Sequence, residues 1–221
     1  MDMVVKMKPK LWILDTNIVV YWIMGRHILR WLIVDYYKFS EELVSTYLKR
    51  YEDSINFVDE ILKQEKDSNK FYVVDLTLNE IFSGIKDEVK SVMLFEKGYP
   101  LSRWSDRRLI GELKLDVEFV IKIRDFIAHA FHELMKKIEI LPVPYEDEGY
   151  FDVYASLILK NIAMQTQDAI LLTTAILEKA DYFVTKDDYS VGRYKGVIKD
   201  KYDLEIICPE HGLNVLKRKV K

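Results

Sequence analysis

Four acidic residues, Asp15, Glu80, Asp168 and Asp187, stand where short apolar runs meet helical patterns. Carboxylates gathered in one crevice repel one another, and a buried unpaired carboxylate either takes up a proton or finds a cation. A hard divalent cation resolves that conflict. Mg²⁺ needs only one or two direct carboxylates, with water and phosphate oxygens completing its octahedral shell, so the remaining acids can hold waters or a second ion. The chemistry open to such a centre is phosphodiester hydrolysis, in which the cation acidifies water and balances charge on phosphate oxygens.

Positioning these groups falls to short apolar runs of strand length. Lys10–Leu14 ends at Asp15, Phe71–Val74 precedes Glu80, and Asp181–Thr185 precedes Asp187. Ile138–Leu141 stops at Pro142 and Leu204–Cys208 at Pro209, as strands do, because proline lacks the ladder donor. Between them apolar residues recur at helical spacing over Val117–Ile138, Val153–Met164 and Ala169–Ala180, the last opened by Asp168. Strands alternating with helices predict a three-layer α/β/α fold around a parallel sheet of about five strands. In such folds ligands gather at the C-terminal strand ends, where these acids lie. One domain over residues 1–221 is expected, with helical insertions near 28–70 and 87–137. The first insertion reads as two or more helices between Ser40-Glu41-Glu42 and a polar Lys66–Asn69 end; the second reads as several, broken around Gly98-Tyr99-Pro100 and Gly111.

Each acid also has an ordinary structural explanation. Thr77-Leu-Asn-Glu80 fits a capping box, Asp168 suits the positive end of a helix dipole, Asp187-Asp188 fits a turn, and Asp15-Thr16-Asn17 fits an Asx turn. Together these explanations weaken, because Asp15 interrupts an otherwise apolar stretch.

Composition narrows the classes. The formal net charge of −3 is weak evidence against nucleic acid, since bound cations can neutralise acids, and basic segments occur at Arg103–Arg108, Lys186–Lys201 and Lys217–Lys221. Leu11–Met24 is too short and too interrupted for a membrane helix, and no secretory signal or membrane partner is expected. Cys208 is the only cysteine, which excludes an intramolecular disulfide and suits a cytoplasmic location. No Walker loop, dinucleotide fingerprint or serine nucleophile elbow is present, and Asn17 occupies the position where a haloacid-dehalogenase-like phosphatase carries its second acid.

Four segments resemble the motifs of PIN-domain ribonucleases. Leu11-Trp-Ile-Leu-Asp-Thr-Asn17 is similar to their opening strand, Leu76-Thr-Leu-Asn-Glu-Ile81 to their second motif, Gln165–Ala175 to the aspartate-led third, and Ala180–Tyr189 to the fourth. The resemblance, to the VapC-like toxin branch or a related archaeal or bacterial PIN protein, implies an endoribonuclease using Mg²⁺ or Mn²⁺. It implies Asp15, Glu80, Asp168 and Asp187 as metal-site acids, with Asp188 an alternative to the last, and Thr16, Asn17 and Thr185 as polar supports. Lys186, Arg193 and Lys195 are candidate phosphate contacts, and Trp104, Tyr189 and Tyr194 are candidates to stack on RNA bases. RNA is the expected substrate, with an antitoxin protein and a homodimer as the partners a toxin role would bring. A PIN-like RNA- or protein-binding module that does not cut, and a structure-specific DNA nuclease, are the alternatives.

One further cluster has metal-ligand spacing. Asp125, His129, His132 and Glu133 fall near one another on a predicted helix, although such pairs are also common on solvated helix faces.

Overall fold

The computed structural model describes residues 9–65, 69–104, 106–160 and 164–218. Its centre is a five-stranded sheet of β1 (Lys10–Leu14), β2 (Asn69–Val74), β3 (Ile138–Leu141), β4 (Tyr182–Val184) and β5 (Glu205–Ile207), ordered β3-β2-β1-β4-β5. Every pairing is parallel, with Trp12 opposite Phe71 on one side and Tyr182 on the other. Alternate residues of β1 feed different cores. Trp12 and Leu14 point into one and Ile13 into the other, and all three are fully buried, which is why this central strand reads as an unbroken apolar run.

The helices form the two outer layers. On the Trp12 face lie α1 (Thr16–Ile23), α2 (Glu41–Leu48), α3 (Glu52–Lys63), α4 (Asp75–Glu96) and α6 (Val117–Leu134), joined by α10 (Pro209–Arg218). On the Ile13 face lie α7 (Tyr150–Lys160), α8 (Thr166–Leu177) and α9 (Lys195–Tyr202). A short α5 (Arg107–Glu112) connects α4 to α6. The chain runs from β1 outward through β2 to β3, then crosses back to β4 on the opposite side of β1. The C-terminal end of β1 is therefore the topological switch point, where the loops diverge and leave a crevice. Among the described residues no helix is long and apolar enough to cross a membrane.

Local chemistry explains several boundaries. Asp116 caps α6 by accepting the Phe119 amide at 2.7 Å, and Asp106 caps α5 in the same way. Helix α4 ends before Gly98, whose φ of 77° suits a glycine just past a helix end. Helix α1 does not stop at Ile23. It continues through π-helical turns at Met24–Ile28 and Trp31–Tyr36, so residues 28–36, expected to open a separate insertion, prolong the first helix.

Three other expectations are corrected. The helix expected over Val117–Ile138 ends at Leu134, and Ile138 instead opens β3, where its buried side chain fits either period. Asp87 lies in the middle of α4, so the second insertion does not begin there. Asn69 and Lys70 belong to β2. Residues 66–68, 161–163 and 219–221, together with Ser105, fall within segments read above but lie outside the described residues.

Candidate functional site

Asp15 follows β1 directly and is 5% exposed. It occupies the residue before α1, yet its side chain does not cap that helix. Its Oδ2 instead accepts from the Thr185 hydroxyl at 2.5 Å and from the Asn17 side-chain amide at 2.6 Å. Asn17 also accepts the Lys186 amide at 3.2 Å, so one side chain ties the start of α1 to the chain leaving β4. The Asx-turn explanation holds in part, since Thr16 and Asn17 of the same turn bond the carboxylate, but Thr185 beyond β4 holds it as well. Thr185 and Asn17 are the expected polar supports of Asp15.

Glu80 reaches the same crevice from α4. The capping-box expectation fails because α4 begins at Asp75, two residues before Thr77, and Thr77 is buried inside it. Freed from capping, the Glu80 carboxylate accepts from the Thr16 hydroxyl at 2.5 Å. Helix α4 packs closely on α1 at Gly84, where a Cβ would stand 2.8 Å from a Val20 methyl. That close approach brings Glu80 within reach of Thr16.

Asp168 sits in the first turn of α8, the positive end of the helix dipole, and accepts the Gln165 backbone amide, so the ordinary explanation holds in part. It also accepts from the Ser190 hydroxyl at 2.7 Å, and Ser190 donates to Asp187 as well. Asp187 is largely used by its own turn, accepting the Tyr189 and Ser190 amides at 2.9 and 2.8 Å. Its amide donates to Thr185 at 2.9 Å. Asp187 thus supports the other acids through Ser190 and Thr185. Asp188, the alternative fourth acid, lies beside Gly192, where an added Cβ would stand 3.1 Å from its Oδ1.

Burial and mutual repulsion act together on the carboxyls. Asp15 is pushed up to about 7, chiefly by burial, with the Asp168 and Glu80 charges adding and the Thr185 hydrogen bond opposing. Glu80 and Asp168 are raised as well, again chiefly by burial. Among the described residues no Lys, Arg or His forms an ion pair with Asp15, Glu80, Asp168 or Asp187. The donor set is entirely oxygen, which suits a hard cation. Asp15, Glu80 and Asp168 line a cleft of about 460 Å³ between α1 and α4, with Tyr21, Ser83 and Asp87 along its wall.

No protein-family model, characterised protein or solved structure matches this chain. The chemistry of the cleft therefore stands on its own geometry.

Of the expected phosphate contacts, Lys186 stands beside the cleft. Its ammonium donates to the Arg50 carbonyl at 3.1 Å and lies 5.8 Å from the centre of the Tyr21 ring. Arg50 faces Glu88 on the same wall at 3.5 Å. Lys195 is instead part of a separate groove with Lys199 beside β5, outside the acid cleft. Arg193 lies over the Tyr189 ring at 4.8 Å, and Tyr189 is 73% exposed, so this pair keeps an open aromatic surface. Trp104 does not: it stacks on Tyr47 at 5.6 Å and donates to the Tyr99 carbonyl. Tyr194 packs against the Ile13-side core.

Sequence reasoning missed Ser190 and Arg50. The Asp187-x-x-Ser190 spacing of an aspartate-led turn is a signal for the first. Nothing local marks Arg50, which lies between α2 and α3 and meets the cleft wall through Glu88.

Proposed function

We propose that the chain is a metal-dependent endoribonuclease of the PIN type. Asp15, Glu80 and Asp168 hold Mg²⁺ or Mn²⁺, and Asp187 supports them through Ser190. The observation that carries this reading is Asp15 itself. A carboxyl 5% exposed at the switch point, raised to about 7 beside two more raised carboxyls and paired with no base among the described residues, is poised to exchange its proton for a cation near neutral pH. The four motif resemblances point to the same residues.

A bound divalent cation supplies charge for phosphate oxygens and acidifies water. The chain's own groups do the rest. Thr185 and Asn17 fix the Asp15 carboxylate, Thr16 fixes Glu80, and Ser190 fixes Asp168, so the ligand oxygens need little rearrangement on binding. Lys186 and Arg50 flank the cleft as contacts for the phosphates of a single strand. Tyr189, with Arg193 over it, offers a base a stacking surface. A toxin role, with an antitoxin partner and a homodimer, rests on the motif resemblance.

The test is cleavage of labelled single-stranded RNA with Mn²⁺, Mg²⁺ or EDTA, comparing wild type with Asp168→Asn. Metal-dependent cutting that the variant loses supports the proposal. Cutting of DNA alone would reassign the substrate, and no cutting of any strand with either metal would leave a binding module.

A further inference from the structure

Away from the acid cleft, the prolonged first helix meets α6 at a cluster of different chemistry. His27, in the π-helical turn Met24–Ile28, faces His129 and Glu133, which stand four residues apart on one face of α6. One ligand atom from each of the three lies within 4.8 Å of the others.

We propose that His27, His129 and Glu133 form a second metal site, which binds a transition-metal ion of the zinc class and clips α6 to the helix that begins at Asp15. Three observations carry it independently of the nuclease reading. First, the donor set is two imidazoles and one carboxylate, which suits Zn²⁺, Co²⁺ or Ni²⁺ far better than Mg²⁺. Second, His27 Nε2 is buried without a hydrogen-bond partner among the described residues, and Glu133 Oε2 stands 3.6 Å from it, beyond hydrogen-bond reach. A buried unsatisfied nitrogen is costly, and a metal ion would use its lone pair. Third, the ring is held in place. The i→i+5 turn sets Trp22 edge-on against His27 at 4.9 Å, and the His129 ring lies 5.6 Å away on the other helix.

Tetrahedral zinc ligands lie roughly 3.4 Å apart for bonds of about 2.0–2.1 Å, so the separations need close by at most about 1.4 Å. His129 is exposed and Glu133 half-buried, so side-chain rotation alone can supply that movement. Three protein ligands and an exposed side leave a fourth position for water. Of the four residues with ligand spacing along α6, Asp125 pairs with Arg124, and neither it nor His132 joins the cluster. His27 takes their place.

The metal-free full chain would be titrated with Zn²⁺ against a chromophoric chelator, and with Co²⁺ to read the visible absorption of a tetrahedral site. The wild type should bind about one equivalent in this way and unfold at a higher temperature when saturated. His129→Gln changes an exposed side chain, and Glu133→Gln keeps the shape of the site. Each should weaken Zn²⁺ binding at least 10-fold and remove the thermal shift, whereas Asp15→Asn with Asp168→Asn should retain both. Absence of the tetrahedral cobalt signal in the wild type, or Zn²⁺ binding unchanged in His129→Gln and Glu133→Gln, would overturn the proposal.

Discussion

The acid cleft and the histidine cluster are both anchored on the helix that leaves β1, yet they are built in opposite ways. The cleft takes its acids from the ends of parallel strands, from the helix that follows β2 and from the start of the helix that leads into β4, so the sheet places them. Its oxygens are already held by Thr16, Asn17, Thr185 and Ser190. The cluster joins one turn of helix to another about a hundred residues later, and the buried nitrogen of His27 has no such hydrogen-bond support. Hard oxygens in a sheet crevice and imidazoles across a helix junction should therefore select different metals and fail under different substitutions.

The largest expected effect is Asp15→Asn, which should reduce metal-dependent RNA cleavage by on the order of 100-fold or more, because it alters a proposed ligand rather than an outer support. Initial rates at saturating Mn²⁺ measure it, and activity within a few-fold of wild type would dissolve the distinction between the two regions.

Next is the pH dependence of stability in EDTA. The folded pKa of Asp15 lies above its unfolded value, so the folded state binds the extra proton between them and stability falls as pH rises through about 7. From pH 5 to 8 the loss should be about 2 kcal/mol, read by urea denaturation. Asp15→Asn should make the fall shallower, leaving the smaller contributions of Glu80 and Asp168, and Mn²⁺ should restore wild-type stability at pH 8. A wild-type curve that rises over this window would contradict the assignment.

Smaller again, Ser190→Ala should lower cleavage by about 10-fold, since it removes the hydroxyl shared by Asp168 and Asp187 while every proposed ligand keeps its carboxylate. Its circular dichroism should match the wild type. Last, His129→Gln should leave Mn²⁺-dependent cleavage within about 2-fold of wild type while weakening zinc. Loss of cleavage in that variant would mean the two regions are one functional unit.

The same contrast explains what could be read from sequence. All five strands were legible to within two residues, because a strand buried on both faces is a short apolar run with a polar or proline stop, as at Leu141-Pro142 and Cys208-Pro209. Asp15 was legible as a charge breaking such a run. Glu80 was found with the wrong local explanation, because a threonine three residues before a glutamate looks like a cap whether or not the helix starts there. Asp187 carried two readings, site acid and turn residue, and its bonds to the Tyr189 and Ser190 amides match the turn reading. His27, Arg50 and the π-helical turns were not legible, since each depends on which helices pack together, and periodicity along one segment carries no such information.

The most direct test of the cleft is a calorimetric titration of Mn²⁺ into wild type and Asp15→Asn, repeated in buffers of different ionisation enthalpy. If burial holds a proton on Asp15 until the cation replaces it, the wild type should release close to one proton from that group at pH 6 and little at pH 8, and the variant should lose that release along with most of its affinity. Equal Mn²⁺ binding by both proteins, with no difference in proton release, would contradict a metal centre built on Asp15.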